Sequence, residues 1–125
     1  MTHWRKQYRQ LAITKILHFK EAGKASPGKH LKQAIHYICN PEKTQNGKLV
    51  SSLNCQKEYA YQQMIRTKKN FHKQNLRQGY HIIISFEEGE ITPDTAFEIV
   101  GAFAKKYLEK DFEAVYSIHE KYHHV

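Results

Sequence analysis

Apolar and polar positions alternate loosely from Leu11 to Phe19, in a stretch rich in Ile and Leu, and this pattern predicts a β-strand. Glu21 to Gly28 reads as a loop, broken up by Gly23, Ser26, Pro27 and Gly28. From His30 to Cys39 the period changes: Leu31, Ala34, Ile35 and Ile38 share one stripe at helical spacing. Asn40-Pro41 ends that helix, because the residue before a proline is pushed out of the helical region. Residues 42–55 read as an exposed excursion, with Asn46-Gly47 as its turn and a short strand from Lys48 to Leu53. A second helix is predicted from about Gln56 to Gln74, with Ala60, Met64 and Phe71 facing inward. Tyr80 to Phe86 gives the clearest strand, with Tyr80, Ile82, Ile84 and Phe86 on one face and His81, Ile83 and Ser85 on the other. Thr92-Pro93-Asp94 then opens a helix with a hydroxyl cap, a proline at its first position and an acid in its first turn. Phe97, Val100, Phe103, Ala104, Tyr107 and Leu108 form its apolar stripe. A last strand, Glu113 to His119, sets Ala114, Tyr116 and Ile118 against Val115, Ser117 and His119.

This order of elements predicts an α+β fold, a single sheet with helices packed on one face. The chain has 125 residues, 40% of them hydrophobic, enough for one domain with a core and with little room for a second. Residues 1–10 form a basic N-terminal extension, and residues 11–125 the domain. No apolar run has the length of a membrane span. A secretory leader is not expected, since Lys15 and His18 interrupt the segment that would have to be apolar. Cys39 and Cys55 form neither a CxxC pair nor a disulfide framework, so the expectation is a reduced chain in the cytoplasm.

Charge narrows the range of partners. The net charge is +8, and it is unevenly spread: 16 basic and 3 acidic residues precede Tyr80, whereas 4 basic and 9 acidic residues follow from there. The first part thus offers a face to a polyanion, and Tyr8, Tyr59, Tyr61 and Phe71 lie among its cations, as stacking on unpaired bases requires. Gly23 to His30 falls one residue short of a phosphate-binding loop, because His30 stands where a Ser or Thr would hold magnesium. A glycine-rich loop leading into a helix accounts for it. Tyr37 sits at the edge of the first helix's apolar stripe, so its phenol can point across the sheet instead of into the core. A free phenol is ionised to only about one part in a thousand at neutral pH, so it becomes a useful nucleophile only beside a cation or base. His81 and His119 occupy matching faces of their strands and share a surface if those strands are neighbours. His119, His123 and His124 crowd the C-terminal segment, and neutral imidazoles are common metal ligands. In a straight strand His123 and His124 point to opposite faces; a turn would bring His119 and His123 together.

The succession AITKI, KHLKQAIHYICNPEKT, GYHIIISFEEGEITPDTAFEIV and AVYSIHE resembles the N-terminal nuclease domain of plasmid mobilisation relaxases, the MobA/VirD-type family of His-hydrophobic-His (HUH) endonucleases. The resemblance covers about residues 11–120, and IHYICNPEKT and the YHIIISF…EIT pair are its most specific segments. It implies a ferredoxin- or palm-like endonuclease fold and an enzyme of conjugation. Such an enzyme nicks one strand at the origin of transfer of a plasmid or mobile element and keeps the 5′ phosphate on a tyrosine, here Tyr37. It further implies a divalent metal ion, Mg or Mn, on His119, His123 and His124. Single-stranded or hairpin DNA is the implied partner, gripped by Lys29, Lys32, Lys43, Arg66, Lys68 and Lys69, with an accessory mobilisation protein and no membrane. One departure stands out. In the family, the histidine matching His119 is followed by a strand bearing a His-x-His pair, whereas His123 and His124 are adjacent and Val125 ends the sequence. The metal site is then incomplete, built on an unusual terminal turn, or supplied by another chain, and the same departure implies a sheet lacking a strand. The expectation is a relaxase domain truncated at its C-terminus, with weak or no nicking activity alone. Two alternatives stay open: a non-catalytic module that binds single-stranded nucleic acid, and a structural fragment whose sheet a partner completes.

Overall fold

The computed structural model describes residues 12–19, 29–71, 79–86, 89 and 91–120. Strand β1 (Ala12–Phe19) leads to helix α1 (Lys29–Ile38), strand β2 (Val50–Leu53), helix α2 (Ala60–Asn70), strand β3 (Gly79–Ser85), helix α3 (Pro93–Leu108) and strand β4 (Ala114–Ser117). Short 3-10 turns at Pro41–Lys43 and Lys57–Tyr59 precede β2 and α2. The α+β class and the order of elements are those the hydrophobic pattern predicts. Among the described residues the strands are hydrogen-bonded as two antiparallel pairs, β1 with β3 and β2 with β4. The β1–β3 ladder pairs Leu17 with His81 and Ile16 with Ile82, and a bulge between Ile13 and Lys15 absorbs one residue. In the other ladder Val50 faces Ser117 and Leu53 faces Ala114.

Local chemistry sets the ends of the elements. The Thr92 hydroxyl accepts the Thr95 N–H at 3.2 Å and caps α3, with Pro93 at its first position. At the far end of α3, Asn54, itself in the left-handed region (φ 60°), donates its amide to the carbonyls of Glu109 and Phe112. The residue after β2 is thereby tied to the turn that follows α3. The core draws on Leu31 of α1, Leu49 and Val50 at the entry to β2, Ala60 of α2, and Ala96 and Ala104 of α3. Tyr116 of β4 turns to α3, its ring 5.6 Å from that of Phe97. Gly101 lets the two come close, since a Cβ there would lie 3.0 Å from the Tyr116 hydroxyl.

Two expectations are corrected. Phe71 is not on a buried side of α2: it is 68% exposed, because it follows the helix's last residue. Residues 42–55 are not a wholly exposed excursion either. Thr44 and Leu49 are fully buried and Val50 is part of the core, because this loop folds back against the segment after β4.

Candidate active site

Tyr37 lies in the last turn of α1, one step off the stripe that carries Leu31, and its side chain is 53% exposed. The helix ends where proline requires it to: Asn40 adopts ψ 115°, and its side chain accepts the Glu42 N–H at 3.0 Å. The 3-10 turn that follows is pinned from inside by Thr44, whose buried hydroxyl donates to the Asn40 carbonyl at 2.9 Å. Gln45, Asn46 and Gly47 then take positive φ in succession and reverse the chain. The Leu49 N–H closes the loop on the Thr44 carbonyl at 3.0 Å.

This closed loop fixes the position of His119. The N–H groups on either side of it, of Ile118 and Glu120, donate to the carbonyls of Leu49 and Lys43, each at 3.0 Å. The Gln45 amide adds a bond to the Glu120 carboxylate at 2.6 Å. The imidazole itself reaches α1, with Nε2 3.0 Å from the Ile38 carbonyl. A carbonyl can only accept, so Nε2 carries the proton and Nδ1 is the ring nitrogen left over for a ligand role. That is the state in which an imidazole binds a metal, oriented through its other nitrogen by a backbone carbonyl.

Around Tyr37 three groups converge. The His119 ring lies 5.0 Å from the phenol ring and the His81 ring 6.4 Å from it, both edge-on. The ammonium of Lys43 stands 5.4 Å from the centre of the Tyr37 ring. Burial, and then the nearby His119, push the His81 imidazole below its ordinary range, so it is neutral at physiological pH. An exposed phenol, two imidazoles and a cation at this spacing suit attack on a phosphodiester that approaches from solvent.

Of the residues singled out in the sequence, Tyr37, His119 and Lys43 are thus brought together. Lys29, Lys32, Arg66, Lys68 and Lys69 are carried instead by α1 and α2, where Lys32 lies over the Tyr61 ring at 5.7 Å. Arg66 borders an open groove of about 560 Å³ with Asn54, Gln56, Gln63, Thr67 and Glu113. His123 and His124 lie outside the described residues, as does the glycine-rich segment before His30. Among the described residues no three His, Cys, Asp or Glu side chains cluster as metal ligands. Both cysteines are free thiols. No helix among the described residues is long and apolar enough to cross a membrane. Sequence reasoning did not find the supporting loop of Thr44, Gln45 and Leu49 or its partner Glu120. The second imidazole, His81, is the one that the alternation of β3 sets opposite its main apolar side, as read from the sequence; it reaches Tyr37 although β3 and β4 are not paired among the described residues.

Comparison with curated proteins and with solved structures gave no significant match. The family profile described as "Relaxase: MobA/VirD2-like, nuclease domain" matches residues 37–125, starting at Tyr37 and taking in the loop, β3, β4 and His119. The match leaves β1 and most of α1 outside it, although the resemblance drawn from the sequence began at about residue 11. With most of its length matched, this chain belongs to the MobA/VirD2-like relaxase family, through that family's nuclease domain.

Proposed function

We propose that this chain nicks one strand of DNA at an origin of transfer on a plasmid or mobile element, with Tyr37 as the nucleophile. Membership of the relaxase family already makes it a DNA nuclease domain of the mobilisation type. The observation that carries the finer reading is the exposed Tyr37 phenol, 5.0 Å from an imidazole held by its own hydrogen bond and by backbone bonds on either side.

In this reading the Tyr37 oxygen attacks the scissile phosphorus and the 3′ oxygen leaves. The strand's 5′ phosphate is then held as a phosphotyrosyl diester, which conserves the energy of the broken linkage for rejoining. His119 fits a ligand role through Nδ1, the ring nitrogen that its bond to Ile38 leaves over; with His123 and His124 it would hold a divalent ion, Mg or Mn, which would supply positive charge to the phosphate oxygens. His81, its imidazole held below its ordinary range, stands edge-on to the phenol at 6.4 Å. The cations of α1 and α2 hold the backbone of single-stranded or hairpin DNA, and exposed Tyr59 and Phe71 offer faces for base stacking. An accessory mobilisation protein would deliver the duplex origin in opened form.

The test is incubation with Mn²⁺ and single-stranded DNA from the region flanking its own gene, followed by denaturing electrophoresis and peptide mapping. A DNA–protein adduct at Tyr37, absent from Tyr37→Phe although that variant still binds DNA, is the expected result. Binding without any adduct in the unaltered chain would leave only a module that grips single-stranded nucleic acid.

A further inference from the structure

Lys43 differs from the other cations in where it stands. Lys29, Lys32, Arg66, Lys68 and Lys69 lie on α1 and α2, whereas the Lys43 ammonium is 5.4 Å from the centre of the Tyr37 ring. Its backbone is fixed twice: the N–H donates to the Asn40 carbonyl at 3.1 Å, and the carbonyl accepts the Glu120 N–H at 3.0 Å. Among the described residues no carboxylate is paired with its ammonium, and the nearby Glu120 carboxylate takes the Gln45 amide instead. A charge on an anchored loop, beside a phenol that two imidazoles approach, is poised for an anion that arrives at that phenol.

Resting on the reading of Tyr37 as the nucleophile, we propose that Lys43 is a catalytic residue that binds the non-bridging oxygens of the scissile phosphate during attack and in the phosphotyrosyl product. The step is balanced without a further reactant. A bond forms between Tyr37 Oη and phosphorus while the bond from phosphorus to the 3′ oxygen breaks. The phenol loses its proton to solvent, and the departing 3′ oxygen gains one. The diester bears one negative charge before and after, but more gathers on the non-bridging oxygens between. A fixed cation therefore favours the transition state over either end. The lysine's four-carbon stem lets the ammonium shift from the ring face to the phosphate, and the phenol remains beside it.

The experiment compares the unaltered chain, Lys43→Met and Lys43→Arg, each checked for folding by its melting curve, in adduct formation with Mn²⁺ and saturating single-stranded DNA. The expected loss is about 100-fold for Lys43→Met, the usual size for one removed charge donor, with most of the rate restored in Lys43→Arg. A second readout needs no turnover: replacing the phosphate at the mapped nick by a neutral methylphosphonate should weaken binding of the unaltered chain but not of Lys43→Met. Adduct formation by Lys43→Met at the original rate overturns the assignment and leaves Tyr37 in place. So does a loss that arginine does not restore and that leaves the preference for the charged linkage intact. Should the unaltered chain form no adduct, or form one on another residue, the reading of Tyr37 itself fails, and the role of Lys43 fails with it.

Discussion

At the scale of single residues, His119 carries two duties that one substitution can separate. Its Nε2–H bond to the Ile38 carbonyl ties the segment after β4 to α1, while Nδ1 is left for the ligand role proposed above. In His119→Ala the bond is lost and a part-buried carbonyl loses its partner, at a cost of about 1 kcal/mol. His119→Gln can still donate to that carbonyl but offers no ring nitrogen. Urea denaturation should therefore show His119→Gln closer to the unaltered chain than His119→Ala, while both lose adduct formation. Equal stability in all three would remove the bond from the account. The cysteines give a second check. Burial pushes the Cys39 thiol up, with Lys57 partly offsetting it; burial and then the charge of Glu113 push Cys55 up. Raised thiols hold less thiolate at a given pH, so alkylation by iodoacetamide at pH 8 should be slower in the native chain than in urea. Rates matching those of an unstructured cysteine peptide would contradict the burial.

At the scale of elements, the loop between α1 and β2 determines whether the site exists at all. Thr44 has no exposed surface, and its hydroxyl bonds the Asn40 carbonyl across the turn that presents Lys43. Leu49 fills the core beneath that turn, while its carbonyl receives the N–H of Ile118. Thr44→Val keeps the shape but removes one of the two bonds to the Asn40 carbonyl, which keeps the Lys43 N–H, at about 1 kcal/mol. Leu49→Ala leaves a cavity, at about 2–5 kcal/mol. Both should lower the melting temperature, and both should loosen His119, visible as faster hydrogen exchange at the amides of Ile118 and Glu120. Unchanged exchange there, alongside a lower melting temperature, would show that the loop does not hold the histidine. This is also where sequence reading stopped. Thr92-Pro93 announces its helix, the Ile run announces β3, and the edge position of Tyr37 announces an exposed phenol, because each signal lies within one turn or one alternation. The bond between Gln45 and Glu120 joins residues far apart in the chain, and no local period encodes it. Phe71 failed for a related reason: periodicity names a face of α2 but does not say where its neighbours end.

At the scale of the whole molecule, the uneven charge makes a prediction about salt. The cations before Tyr80 include Arg66 and Lys69, both exposed on α2, while Lys105 and Lys110 are exposed at the end of α3, within the acid-rich remainder. If α2 follows the strand, each of its cations that meets a phosphate releases a counterion, contributing about 0.7 to the slope of log affinity against log salt for single-stranded DNA. Replacing Arg66 and Lys69 together by Gln should then lower the slope by about 1.4. The pair Lys105→Gln and Lys110→Gln should leave it where it was. Fluorescence anisotropy on a labelled oligonucleotide across a series of salt concentrations measures both slopes in one experiment, and Tyr37→Phe can serve as the background so that no covalent product intervenes. Equal slope changes from the two pairs would mean that the chain binds DNA by net charge, with no preferred face. A change confined to the α2 pair would place the strand along that helix, next to the groove that Arg66 borders, and would fix the side from which a phosphodiester reaches Tyr37.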